Sequence, residues 1–392
     1  MPATQSTAPQ KPPFDLNKGF TRLRAAADGF WRRVSEGLEL ADLWAQFKAE
    51  ARASYGLYSA EVDWKTLERE SVFRRYWRIA QAFFWAMLSK LSPARRVLLL
   101  ISLIFVLMGR FTLRGGEVTL DFELRGFGII GLLLLLAMEL ADRVTMKRDL
   151  EIAREIQRWL VPEKPPKVDG ADIAFATRPA NTVAGDYYDA FFRTPAVASD
   201  SKRLLLVVAD VAGKSVPAAL LMATFQASLQ TLSSAATSLA ELVAGLNRYA
   251  CAHSLGGLRF TTAFLAELHP ATRALTYICA GHNAPMLHRV TGGVERLDAG
   301  GLPLGIEAKA QYDSGRVQLG GGDLLVIFTD GLVEAFNDRG EEYGEARLLE
   351  ILNTVPGESA AETLRLIMQS ADRFVGATRQ HDDITALILR AI

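Results

Sequence analysis

The C-terminal part of this chain is predicted to be an α+β domain, with antiparallel sheets and the helices outside them. Three observations predict it. Short β-type apolar runs come in adjacent pairs separated by hairpin-like turns such as His269-Pro270-Ala271-Thr272. Four helical stretches accompany the pairs, which argues for helices outside antiparallel sheets over a doubly wound parallel sheet. Carboxylates also stand where the apolar runs end, as Asp210 does after LLLVVA and Asp330 after LLVIFT. Upstream, two uncharged apolar runs predict a different kind of structure.

Charge separates the parts. The 392 residues carry 44 Lys+Arg and 44 Asp+Glu, for a net charge of zero. Residues 1–96 hold 16 basic and 10 acidic residues, whereas 161–392 hold 20 basic and 26 acidic. A neutral total argues against a general nucleic-acid binder, which carries a basic excess. Two cysteines, Cys251 and Cys279, are too few for a disulfide framework or a cysteine zinc site and fit a reducing compartment.

In chain order, residues 1–20 contain Pro, Gln and Thr and read as a disordered tail. Residues 21–94 read as a helical N-terminal region rich in Trp, Phe and Arg; its stretch Phe73–Leu91 suits either a membrane surface or a small helical core. Residues 95–141 contain the two runs, VLLLISLIFVLMG (97–109) and FGIIGLLLLLAM (127–138), each shorter than the roughly 20 residues that span a bilayer comfortably. Each extends past one charge, and Gly115-Gly116 marks a turn between them, so they read as a two-helix transmembrane hairpin. The alternative is a buried helix pair of a soluble domain. Arg78, Lys90, Arg95 and Arg96 before the hairpin, and Arg143, Lys147, Arg148, Arg154 and Arg158 after it, place both termini in the cytoplasm of a multi-pass inner-membrane protein.

Residues 142–165 form a linker helix. Met146, Leu150, Ala153, Gln157 and Leu160 make a 4-3-4-3 seam that Ile152, Ile156 and Trp159 widen, and Pro162 stops it. Such a seam suits a homodimer or a helix packed on its own domain. Residues 166–392 are the α+β domain. Its strands are expected at 173–176, 204–209, 263–268, 275–280, 324–329 and 384–389, and its helices at 216–232, 239–254, 345–352 and 360–374. Ser215 stands as N-cap and Pro217 in the first turn of the first helix.

The chemistry is in the acids. Asp186 in AGDYYD, Asp210, Asp330 and the Asp382-Asp383 pair sit at strand ends, where rigid backbone can hold a preorganised site. Four carboxylates with no Cys or His cluster favour a hard cation, Mg²⁺ or Mn²⁺. Two such ions can clamp a phosphoryl oxygen and activate water. A lone Asp-Gly marks a turn more often than a ligand; the weight lies in their number.

The ordered motifs AGDYYD (184–189), VADVAGKSVPAAL (208–220), FTTAFLAELHPATRALTYICAGHNAPMLHR (260–289), GLPLGI (301–306), GDLLVIFTDGLVEAFNDRGEEYG (322–344) and HDDITALIL (381–389) resemble the protein phosphatase 2C-like, metal-dependent serine/threonine phosphatases. Specifically, they look like the bacterial branch typified by sporulation stage II protein E and the stress-response regulator phosphatases, over about residues 145–392. The resemblance implies a four-layer α-β-β-α sandwich with two Mn²⁺ or Mg²⁺ ions between the sheets. By motif position, Asp186 and Asp210 would be the central, catalytic ligands, the Val211 carbonyl a backbone ligand, and Asp330 and Asp382 the remaining ones. Asp383 is the less favoured of its pair. Asp189 would act through water or hold the loop. The implied reaction is in-line attack of a metal-bound hydroxide on phosphoserine or phosphothreonine of a regulatory protein such as an anti-sigma-factor antagonist.

The chain also departs from the family pattern. Ala184 stands for a usual Gly, and Gly213-Lys214-Ser215 for Gly-His-Gly. Lys214 and Arg178 are the candidate phosphate contacts; a solvated lysine and a structural salt bridge are the plainer readings. His282 and Asn283 suit a hydrogen-bonding role that shapes a loop. Two further functional readings compete. One is a catalytically degenerate membrane signalling scaffold, separated by its failure to bind Mn²⁺. The other is a metal phosphodiesterase or small-molecule phosphatase, separated by its turnover of free phosphomonoesters.

Overall fold

The structure is a computed structural model that describes residues 88–392 together with Gln81 and Trp85, apart from 116–117, 194–201, 214, 254–258, 356 and 379. The expected tail at 1–20, nearly all of the N-terminal region at 21–94, and Lys214 lie outside the described residues. The chain divides into two compact units, with the boundary between Leu140 and Ala141.

In the first unit, α1 (Pro93–Met108) opens with proline after Ser92 and ends at Gly109, whose φ of 62° is one that side-chain-bearing residues rarely adopt. Next come β1 (Arg110–Gly115) and β2 (Val118–Glu123), paired antiparallel from Arg110↔Glu123 to Gly115↔Val118. Where the sequence predicts only a polar turn, a two-stranded ribbon forms. The alternation Phe111, Leu113 and then Val118, Leu120, Phe122 is a strand period that the turn reading overlooked. Helix α2 (Leu124–Leu160) follows, 37 residues long. The second apolar run and the linker, expected as separate segments, are therefore one continuous helix. Between Gly131 and Pro162 nothing in the sequence breaks it.

Small residues bring α1 and α2 together. A Cβ on Gly128 would lie 2.6 Å from the Ser102 carbonyl oxygen, and one on Gly131 would collide with Ser102 Oγ. Close backbone approach through Gly and Ser is how apolar helices pack where no hydrophobic force drives them together. Arg95 Nη1 bonds Glu139 Oε1 at 2.8 Å near one end of the pair. Leu100, Ile104 and Leu107 on α1, and Ile130, Leu133 and Leu134 on α2, are exposed. Among the described residues, Leu124–Leu160 alone is long and apolar enough to cross a membrane; α1, at 16 residues, is shorter.

The second unit is α+β. Its elements run β3 (Ala171–Arg178), β4 (Tyr187–Arg193), β5 (Arg203–Val211), α3 (Ser215–Ala235), α4 (Leu239–Ala252), β6 (Thr261–His269), β7 (Ala274–Ala280), β8 (Met286–His288), β9 (Val294–Arg296), β10 (Gly300–Gly301), β11 (Gly315–Gln318), β12 (Leu324–Phe328), α5 (Asp330–Val333), α6 (Gly344–Thr354), α7 (Ala360–Val375) and β13 (Ile384–Ala391). One sheet has the order β10-β7-β6-β5-β4, with β11 also on β7; the other has the order β3-β13-β12-β8-β9. All neighbours are antiparallel except β10 and β7.

Three apolar layers follow from strand alternation. Leu204, Leu206 and Val208 of β5 meet Leu325, Ile327, Leu387 and Leu389 of the other sheet in a central core. Leu205, Val207 and Ala209 face outward onto Met222, Leu229 and Leu246 of α3 and α4. Val326, Phe328, Ala386 and Ile388 face outward onto α6 and α7. Both faces of the middle strands are thus buried, which is why β5 reads as an unbroken apolar run rather than an alternating one. Truncating a fully buried leucine here, such as Leu205, should cost about 2–5 kcal/mol.

Strand β4 was not predicted: in YYDAFFR, aromatic residues occupy both faces and an acid sits in the middle, so no period of two shows. Ser215 opens α3 at φ 64°, a left-handed first residue in place of the expected extended cap.

Candidate active site

Each strand ending brings an acid to the same end of the two sheets. Asp210 is the penultimate residue of β5 and lies across from Thr262. Asp186 immediately precedes β4, whose Tyr187 pairs with Ala209. From the other sheet, Asp330 follows Thr329 at the end of β12, and Asp382-Asp383 precede β13. The glycines between them are there for contact. A Cβ on Gly331 would run into the Asp383 carbonyl and lie 3.3 Å from Asp382 Cβ. One on Gly185 would lie 3.2 Å from the Val211 carbonyl oxygen and 3.7 Å from Asp210 Oδ1. The backbone beside Asp186 therefore runs directly against the Asp210-Val211 segment.

Electrostatics give this end its character. Asp186 is 4 % exposed. Burial, then the charge of Asp210, pushes its carboxyl well above the usual carboxylate range. Burial first, and then repulsion from Asp330, Asp382 and Asp383, pushes Asp210 up to about 7. Carboxylates crowded in a poorly solvated place resist ionising together. Such perturbed acids mark functional sites more often than structural ones.

Asp383 has a separate task. Its Oδ1 accepts from the Ala180 amide at 2.7 Å and its Oδ2 from the Gly185 amide at 2.6 Å, so it ties down the loop that carries Asp186. Asp382 Oδ1 accepts from the Asp383 amide at 2.9 Å. Asp189 faces away from the cluster. It accepts from Tyr187 Oη at 2.7 Å, Gln230 Nε2 at 2.9 Å and the Ala190 amide at 2.7 Å, inside the layer under α3.

Of the two candidate phosphate contacts, the one the structure describes does not join the acids. Arg178 is ion-paired with Asp372 of α7, the structural salt bridge that was the plainer reading. Lys214 lies outside the described residues. His282 is buried, with Nδ1 3.0 Å from Thr262 Oγ1; burial lowers its pKa to about 4, so it is a neutral hydrogen-bonding group. Two contributors went unseen in the sequence. Thr329 Oγ1 donates to Asp186 Oδ2 at 2.9 Å. Gln157 of α2 brackets Ala184, donating from Nε2 to its carbonyl at 2.7 Å and accepting from its amide at Oε1 at 2.9 Å. The available signals were a threonine directly before a candidate ligand and a polar residue inside an apolar helix seam.

Gln157 also settles which way the linker seam faces. Leu150, Ala153, Gln157 and Leu160 are half-buried, whereas Met146, expected in the same seam, is exposed. Ile152, Ile156 and Trp159, expected only to widen the seam, are the exposed ridge, Trp159 at 82 %.

The donor set is all oxygen, without Cys or His, which suits Mg²⁺ or Mn²⁺ over zinc. Among the described residues, no three His, Cys, Asp or Glu converge to ligand spacing. The acids ring the site without closing on a point. The mutual repulsion that raises Asp210 is the kind a divalent cation relieves.

Two antiparallel sheets packed face to face, helices outside, and acids gathered at one end define a PP2C-like domain. The family model described as "Stage II sporulation protein E (SpoIIE)" matches residues 200–392. Phosphoserine phosphatase RsbU of Bacillus subtilis (strain 168) is 28% identical over 246 residues, covering 62% of this chain and 70% of that protein. Protein IcfG of Synechocystis sp. is 27% identical over 280 residues; the match covers 64% of this chain but only 43% of IcfG. The solved SiaA-PP2C domain of Pseudomonas aeruginosa aligns at a TM-score of 0.56 and 22% identity, covering 64% of this chain and 99% of that domain, a likeness of fold. The C-terminal domain of this chain belongs to the SpoIIE-type, PP2C-like serine phosphatases.

Proposed function

We propose that the chain is a membrane-anchored, Mn²⁺- or Mg²⁺-dependent protein serine/threonine phosphatase facing the cytoplasm, acting on a phosphorylated regulatory protein such as an anti-sigma-factor antagonist. The observation that carries the metal reading is Asp210: the charges acting on it are Asp330, Asp382 and Asp383, and burial with repulsion raises it to about 7. Asp186, Asp210, Asp330, Asp382 and the Val211 carbonyl would hold two ions. Bound there, the ions supply Lewis acidity and a water acidic enough to act as nucleophile near neutral pH. The protein's own contribution is placement. Asp383 and Gln157 fix the Ala184–Asp186 loop from two sides, and rigid strands deliver the other acids.

The exposed apolar side chains of α1 and α2, and the length of α2, support a membrane hairpin. The ridge Ile152, Ile156 and Trp159 supports a homodimer through the linker, on the face opposite Gln157. The test is release of phosphate from a phosphoserine protein with Mn²⁺, beside free phosphomonoesters. Asp210→Asn should lower the protein reaction by about 10²–10³-fold or more, as loss of a preorganised electrostatic group does. Retained activity would overturn the metal assignment. Faster turnover of the free esters would replace the protein substrate with a small one.

A further inference from the structure

Thr329 is fully buried at the end of β12, one residue before Asp330. Its hydroxyl is committed on both sides. The Thr385 backbone N–H donates to Oγ1 at 2.9 Å, and Oγ1 lies 2.9 Å from Asp186 Oδ2. A hydroxyl has one proton. With Asp186 ionised, the carboxylate can only accept, and at 2.9 Å its Oδ2 is the nearest acceptor for that proton, ahead of the Asp383 and Thr385 carbonyls at 3.4 Å. The backbone holds the threonine itself in place: its N–H donates to the Thr385 carbonyl at 3.0 Å. A β-branched side chain also has few χ1 options.

Topology gives this bond its meaning. Asp186 leads into β4 of one sheet, while Thr329 directly follows β12 of the other. The candidate ligands divide the same way, Asp186 and Asp210 on one side, Asp330 and Asp382 on the other. The Thr329–Asp186 bond is a polar tie between the two halves, fixed at the residue next to Asp330.

We propose that Thr329 is a positioning residue for the metal site: its hydroxyl holds Asp186 Oδ2 and so sets the orientation of that carboxylate relative to the acids of the opposite sheet. This rests on the reading of Asp186 as a metal ligand. Ligand carboxylates are oriented by outer hydrogen bonds, and losing such a partner costs about 10–100-fold in metal affinity.

The experiment is calorimetric titration of Mn²⁺ into the full chain and into Asp186→Asn, Thr329→Ser, Thr329→Val and Thr329→Cys, with thermal melts without metal to establish that each folds. Asp186→Asn is expected to lose tight Mn²⁺ binding. Thr329→Ser keeps the hydroxyl and should bind within about threefold of wild type. Thr329→Val keeps the shape and loses the donor, and should bind about 10–100-fold more weakly. Because valine also leaves the Thr385 amide without its acceptor, it can fail to fold. Thr329→Cys, a weak donor, then stands in for it, with an intermediate loss. Wild-type affinity in the valine or cysteine variant beside a dead Asp186→Asn overturns the role of Thr329 alone. So does a serine variant as weak as valine, which would put the effect in the methyl group. Wild-type affinity in Asp186→Asn overturns the ligand reading and the inference with it.

Discussion

Asp323 and Asp330 flank one strand, β12, and the acids at its two ends meet opposite surroundings. Asp323 is 3 % exposed, yet its pKa lies below the ordinary carboxylate value. Burial alone would raise it. The amides of Val290 at 3.0 Å and Gly320 at 2.8 Å, with Arg289 Nη1 at 2.7 Å, outweigh that burial. Glu267, buried in β6, is likewise ion-paired with Arg193 and within 3.4 Å of Arg203. At the Asp330 end the neighbours of Asp210 are more acids, and its pKa rises. The same fold can offset a buried carboxylate with cations and amides, as it does at Asp323 and Glu267. At the Asp330 end the repulsion on Asp210 is kept, and the proposed cation would relieve it.

The largest effect that would break this contrast is on stability. Glu267→Gln leaves the buried Arg193 without its ion-pair partner, although its bonds to the Ser233 carbonyl at 3.1 Å and to the Ala236 carbonyl remain. Removing one partner of a buried pair costs about 3–5 kcal/mol, which a thermal melt of the full chain would register as a clear drop in Tm. An unchanged Tm would mean the pair is not what neutralises Glu267. Asp323→Asn comes next. Its single amide oxygen can serve the Val290 N–H at the Oδ1 position or Gly320 and Arg289 at the Oδ2 position, with the NH2 facing the other donor, so about 1–3 kcal/mol is expected.

Much of this was legible in the sequence, and the reasons differ by element. Strands β5, β12 and β13 are apolar runs with acids at or beside one end, because strands buried on both faces must be apolar and the candidate acids stand where the core stops. The acids at the site came from the same reading. Strand β4 was hidden by its aromatic residues and Asp189, and the β1–β2 ribbon by its charges. The support around the site was least legible. Gln157 touches Ala184 across 27 residues and Thr329 touches Asp186 across 143, pairings that no local pattern encodes. Arg178 shows the converse: a cation next to a ligand motif in sequence is spent on Asp372 in space.

The smallest effect is the most discriminating, because the two ends of β12 should answer pH with opposite signs. Asp323 has a depressed folded pKa, so its contribution is present above the ordinary carboxylate value of 3.8 and is lost as pH falls through the folded pKa. Asp210 has a raised one. In the metal-free protein its contribution is present below 3.8 and is lost as pH rises through about 7. Asp210→Asn removes a carboxylate that must ionise against its neighbours. Without metal it should match wild type near pH 4 and be the more stable of the two at pH 8. Asp323→Asn should be less stable than wild type at pH 6–8, with the deficit narrowing below pH 4. Saturating Mn²⁺ should abolish the advantage of Asp210→Asn at pH 8, because the ion stabilises only the chain that can bind it. Thermal melts across pH 4–8, with and without Mn²⁺, check all three. An Asp210→Asn protein less stable than wild type at pH 8 without metal would mean that the acids at this end hold the fold together rather than strain against it.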